Sequence, residues 1–260
     1  MLTIEIDATS LVYRQFIVPG VTPSWVDART VQSLPLSPGI YNFQIASGYF
    51  ADFTFQVGAD GRIDYDPAFN GFLSGRGTSR LTIQGFQVTL DARYLTGAGI
   101  LLVAPAMSFL RYATVRMVPA NSYQVQQGSG QVAQLVFQLD RNGLFQYDET
   151  RYGGFLRGRG TSTLEFQGYP LLVDARSSGG DGVTIVPVTS LPFATNSVEH
   201  ANLLPASGFR LQVRSGIVAD AGFSLSPSGS FTLEGAEAAQ LAVAPGGFHG
   251  LTLLTVNGAL

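Results

Sequence analysis

The sequence predicts an all-β protein of three tandem antiparallel units, small barrels or sandwiches set in pseudo-threefold arrangement. Three observations carry this reading. Apolar and polar residues alternate with period two, glycine-bearing dipeptides punctuate the alternating runs, and the same residues return at a near-constant step along the chain.

The alternation is clearest in "YNFQI" and "ADFTFQV", at 41–45 and 51–57, where every second residue is large and apolar. Such a run buries one face of a strand and wets the other. "FQVGADGRIDYD" then reads as two runs joined at Asp60-Gly61, with Asn142-Gly143 and Ser228-Gly229 in the later copies. These dipeptides supply the positive φ of tight hairpins. "LTIQGFQVTLDA" has the same form, so a second hairpin is expected to turn at Gln84-Gly85 and again at Gln167-Gly168. Helical periodicity is absent; "VEHANLL" and "EGAEAAQLAV" are the only helix candidates, and both are short.

The step is equally plain. Moving 82 residues carries Tyr41 onto Tyr123, Ala51 onto Ala133, Phe55 onto Phe137, Gly61 onto Gly143 and Tyr65-Asp66 onto Tyr147-Asp148; a further 86 reaches Phe209, Ala219, Phe223 and Gly229. An Asp-Ala element marks the phase: "IDA" at 6–8, "LDA" at 90–92, "VDA" at 173–175 and a degraded "VNG" at 256–258, at intervals of 84, 83 and 83. Residues 1–8 are therefore expected as a strand equivalent to the end of a unit. Units then follow over 9–92, 93–175 and 176–260, the last one degenerate. Because about 83 residues is twice the 40–45 of a propeller blade, a six-bladed propeller is the alternative.

The longest exact echo is "GFLSGRGTSRLTIQG" at 71–85 against "GFLRGRGTSTLEFQG" at 154–168, identical at eleven of fifteen positions. Two readings of GRGTS stay open. As architecture, the glycines shape a tight loop and each Arg pairs with a nearby carboxylate such as Asp66 or Asp148. As a site, the loop amides and the guanidinium fork hold a carboxylate, sulfate, phosphate or sugar hydroxyls. That reading marks Arg76, Thr78, Arg159 and Thr161. Trp25, Phe109 and Phe193 lie in connecting segments after a Pro, where rings can stack on sugar faces or plug the end of a unit. Asp7, Asp91 and Asp174 are expected either to cap loops by accepting backbone N–H groups or to line a shared axis.

Composition narrows the function classes. All 15 basic residues are Arg, charged residues are 13% and the net charge is −3, so the basic footprint of a nucleic-acid binder is missing. A sparsely charged surface favours association, which allows a homo-oligomer. With no Cys and only His200 and His249, neither a thiolate nor a multi-histidine metal site is expected, and no cofactor motif appears. The start carries no signal-peptide pattern and no run is long enough to span a bilayer, which leaves the compartment open. The expected function is a non-enzymatic, multivalent, lectin-like module for carbohydrate or another small polar ligand. The alternatives are a coat, fibre or scaffold component, and an enzyme with its site between units drawn from His200, Glu199, Glu234 and His249.

Overall fold

The computed structural model describes residues 1–22, 24–46, 49–97, 99–103, 111–127, 131–174, 176, 183–186, 198–213, 217–235, 241–244 and 252–256. They form a nearly all-β structure of seven sheets, none of them closed on itself.

Three four-stranded sheets share one plan. In the first, Leu2–Asp7 lies between Gln32–Leu36, antiparallel, and Arg80–Ile83, parallel, with Leu73–Ser74 outside the latter. In the second, Phe86–Asp91 lies between Tyr112–Met117 and Thr163–Phe166, with Leu156–Arg157 outside. In the third, Tyr169–Asp174 lies between Val198–Leu203 and Thr252–Val256, with Leu241–Ala244 outside. The Asp-Ala strand thus holds the same place each time. Its period-two pattern buries Ile4 and Ile6, Val88 and Leu90, and Leu171 and Val173.

The parallel pairs correct the expectation of purely antiparallel units. Parallel neighbours need a long crossover, and more than seventy residues separate Asp7 from Arg80.

A second set of strands comes from the alternating runs. Gly39–Ala46 pairs with Tyr49–Val57, which pairs with Ile63–Asp64 across the Asp60-Gly61 turn. Phe137–Leu139 pairs with Phe145–Gln146, and Ile217–Leu225 with Phe231–Glu234, across the Asn142-Gly143 and Ser228-Gly229 turns. Rings on these strands meet rings on or beside the first set: Phe53 lies 5.5 Å from Phe72, just before Leu73–Ser74, and Phe137 lies 6.1 Å from Phe166. One core runs through residues 4–166 and takes in Leu204, while a second gathers side chains from Leu171 to Val256.

Two further expectations change, and a third falls largely outside the described residues. The segments before and after Gln84-Gly85 are not a hairpin, because Arg80–Ile83 belongs to the first sheet and Phe86–Asp91 to the second. Gly85 is a packed corner instead: at φ +63°, a Cβ there would meet Leu11 Cδ2 at 2.7 Å and the Met117 carbonyl oxygen at 2.8 Å. Gln167-Gly168 is the same corner against Leu95. "VEHANLL" is the strand Val198–Leu203, held by its six-residue register with Tyr169–Asp174. "EGAEAAQLAV" begins at the end of the strand Phe231–Glu234 and finishes within Leu241–Ala244; residues 236–240 lie outside the described ones. The described helical turns are Pro67–Gly71 and Glu149–Tyr152, capped by the Asp66 and Asp148 carboxylates.

Candidate binding grooves

The GRGTS loop is built by its glycines and its threonine. Gly75 and Gly158 both sit at φ +99°, close under the chain that follows: a Cβ would fall 1.9 Å from the Arg80 or Thr163 carbonyl oxygen. The Thr78 hydroxyl shares its proton between the Gly75 and Arg80 carbonyls at 2.7 and 3.0 Å and accepts the Arg80 N–H at 3.1 Å. Thr161 repeats this with Gly158 and Thr163 at 2.8, 2.9 and 3.1 Å. Both hydroxyls are therefore engaged inside the loop. The loop then clips to the neighbouring hairpin: Gly77 N–H donates to the Ile63 carbonyl and Ile63 N–H to the Thr78 carbonyl, each at 2.7 Å. Gly160, Phe145 and Thr161 make the corresponding pair at 2.7 and 2.8 Å.

This clip turns Arg76 and Arg159 out over the solvent face of the hairpin, where two grooves lie at corresponding positions. The first, about 300 Å³, is lined by Thr54, Gln56, Asp64, Tyr65, Asp66 and Arg76 among others. The second, about 410 Å³, is lined by Val136, Gln138, Gln146, Tyr147, Asp148 and Arg159, together with Arg151 and Tyr152. Tyr65 and Tyr147 form the buried floors, and burial pushes both phenols above their ordinary range.

The electrostatics of the two grooves differ. Arg76 Nε donates to Asp64 Oδ1, and that bond holds the Asp64 carboxyl below the usual carboxylate range. The expected partners Asp66 and Asp148 instead accept the backbone N–H groups of Ala68 and Arg151, because each caps a helical turn. At the Asp64 position the second groove carries Gln146, whose amide donates to Asp140 at 3.0 Å. Arg159 forms no salt bridge among the described residues.

The other expected residues lie elsewhere. Asp7 accepts the Thr9 N–H and hydroxyl at 3.1 and 2.7 Å and Arg80 Nη2 at 2.6 Å. Asp91 and Asp174 each accept the N–H two residues on and a two-pronged guanidinium, from Arg93 and Arg176. Hydrogen bonding from these guanidinium groups, against the cost of burial, keeps both carboxyls below their ordinary range. Each of the three lies in a different sheet. Trp25 is half-buried beside the short strand Val26–Asp27 and lines neither groove, while Phe109 and Phe193 fall outside the described residues.

His200 and Glu199 are successive in the strand Val198–Leu203. Glu234 lies in another sheet and accepts the Ser224 hydroxyl, and His249 is outside the described residues. Among the described residues no three His, Asp or Glu side chains gather to hold a metal, and no helix is long and apolar enough to cross a membrane. Comparison with protein-family models, with curated proteins and with solved structures finds no match to this chain.

Proposed function

We propose that the chain is a non-enzymatic, multivalent carbohydrate-binding module of three consecutive β-sandwich units, each opening with its Asp-Ala strand. The single observation that carries this reading is the groove written twice: Gln56 with Gln138, Tyr65 with Tyr147, Asp66 with Asp148 and Arg76 with Arg159 occupy corresponding places. Amides, carboxylates and guanidinium groups around a shallow floor are the donors and acceptors that sugar hydroxyls require. Two weak sites on one chain gain strength together when their ligand is repetitive, as polysaccharides are. The test is a glycan array with the folded chain, alongside Arg76→Ala, Arg159→Ala and Trp25→Ala. Binding weakened by either arginine substitution and untouched at Trp25 supports the grooves as sites. A blank array from folded protein overturns the reading.

A second reading, assembly, rests on the junctions between units. Asp52 N–H donates to the Pro119 carbonyl at 2.7 Å and Gln134 N–H to that of Pro205 at 2.6 Å, so the same edge contact is made twice along the chain. A head-to-tail contact of this kind continues into a filament if a second chain adds to the end. Sedimentation velocity over a concentration series separates the two: filaments that grow with concentration favour assembly, and a monomer opposes it.

A further inference from the structure

We propose that the groove around Arg159 takes the acidic group of a saccharide, a carboxylate or sulfate, whereas the groove around Arg76 does not; the inference rests on the carbohydrate reading. The difference lies in one exchange between corresponding strands. In the first groove Asp64 occupies the guanidinium of Arg76, and Asp66 adds a second negative charge on the same rim. That groove carries one positive and two negative side chains, so an anion arriving there meets net repulsion. In the second groove Gln146 replaces the carboxylate and turns its amide to Asp140. Arg159 keeps its donors for a ligand.

The helical turn on that side reinforces the contrast. Glu149–Tyr152 brings Arg151 to the groove, its guanidinium carbon 5.2 Å from the centre of the Tyr152 ring, whereas Arg76 is the one arginine among the described residues lining the first groove. Asp148 remains, with one oxygen already accepting the Arg151 N–H. Two guanidinium groups and one committed carboxylate thus line an opening of about 410 Å³, with Glu149 set against the Tyr147 hydroxyl on its floor. A planar fork of donors beside amide groups suits a carboxylate or sulfate on a sugar ring, whose hydroxyls Gln138 and Gln146 can reach.

The test uses calorimetric titration of the full chain with heparin-derived and polygalacturonate-derived tetrasaccharides, and with maltotetraose as the neutral probe. The expected result is one acidic tetrasaccharide per chain, weakened about tenfold or more by Arg159→Gln, the scale of one charge-assisted hydrogen bond. Gln146→Asp rebuilds the ion pair of the first groove and is expected to cost as much. The reciprocal Asp64→Gln is expected to raise the stoichiometry from one site to two. Circular dichroism on each variant separates lost binding from lost fold, and the Arg159 side chain forms no salt bridge among the described residues. Equal binding of the neutral and acidic tetrasaccharides, or indifference to both Arg159→Gln and Gln146→Asp, overturns this inference while leaving the carbohydrate reading standing. Binding of neither class overturns both.

Discussion

The two glycines of GRGTS have unequal roles, and replacing each by alanine separates them. At Gly75 the backbone sits at φ +99° and a Cβ would lie 1.9 Å from the Arg80 carbonyl oxygen. A side chain at such a φ costs about 1–3 kcal/mol by itself. The overlap is with backbone, so the start of the strand Arg80–Ile83 must retreat by more than an ångström. That retreat loosens the Glu5 N–H bond to the Ser79 carbonyl at 2.9 Å and the bonds between Thr78 and Arg80. At about 1 kcal/mol net for each hydrogen bond, Gly75→Ala is expected to cost about 4–6 kcal/mol in all. Gly77 sits at φ +79° with nothing within 4 Å of its Cβ position, so Gly77→Ala should cost only about 1–2 kcal/mol of backbone strain. The second loop repeats the experiment: Gly158 matches Gly75, with 1.9 Å to the Thr163 carbonyl, and Gly160 matches Gly77. Urea unfolding followed by circular dichroism gives all four values. Equal losses at Gly75 and Gly77, or at Gly158 and Gly160, would refute the close approach as the reason for the motif.

Three other perturbations test buried polar contacts. Tyr123 donates its hydroxyl proton to the Val118 carbonyl at 2.6 Å, so Tyr13 must donate to Tyr123 across their 2.5 Å contact. Tyr123→Phe, which strands both the Tyr13 hydroxyl and the Val118 carbonyl, should therefore cost about 1–3 kcal/mol, and Tyr13→Phe nearer 1, in the same urea assay. Burial holds both phenols above their ordinary range, while the unfolded chain ionises them near pH 10. The native state then keeps protons that the unfolded state releases, so stability should fall as pH rises above about 10, less steeply in Tyr13→Phe. Gln127, whose amide bonds Thr96, Asn202 and Leu204, should on replacement by Leu lose about 1–3 kcal/mol and melt the core beyond Leu171 separately in calorimetry. The lowered carboxyls of Asp91 and Asp174 work in the opposite pH direction: the stability they add is present above about pH 4 and is lost as acid titrates the folded groups. Asp91→Asn with Asp174→Asn should flatten that acid limb of the stability profile.

What was legible in the sequence was local. Asp60-Gly61, Asn142-Gly143 and Ser228-Gly229 name hairpins because the turn conformation is set by the two residues themselves. Gln84-Gly85 carries the same kind of signal, yet the strands on either side find partners far away in sequence, Leu2–Asp7 for one and Tyr112–Met117 for the other. Period-two alternation is identical in parallel and antiparallel strands, so the parallel pairs had no signature to read. The same limit applies to the grooves. Alternation puts Asp64 and Asp66 on one face, and both lie within reach of an arginine. A readable clue did separate them: Asp66 precedes Pro67, and an acidic residue before Pro is a helix-start signal, which assigns Asp66 to capping and leaves Asp64 for Arg76. The exchange of Asp64 for Gln146 was visible by aligning "RIDYD" with "LFQYD"; its consequence depends on where the guanidinium points.

The strand pairings also bear on where a unit begins. Leu2–Asp7 pairs with strands that follow it, at 32–36 and 80–83, and the Asp-Ala strands at 86–91 and 169–174 likewise pair with downstream strands. The turn glycine of each hairpin lies against the same Asp-Ala strand: Gly61 against Leu2, Gly143 against Phe86 and Gly229 against Tyr169. In this phase the strand Thr252–Val256 corresponds to Arg80–Ile83 and Thr163–Phe166, since all three run parallel to an Asp-Ala strand. An Asp-Ala strand and the strand parallel to it thus bracket each GRGTS loop, as Leu2–Asp7 with Arg80–Ile83 and as Phe86–Asp91 with Thr163–Phe166. One groove is lined by residues between 40 and 76 and the other by residues between 136 and 159. The two grooves therefore differ in charge through the exchange of Asp64 for Gln146 and the arrival of Arg151, on strands that pair in the same way.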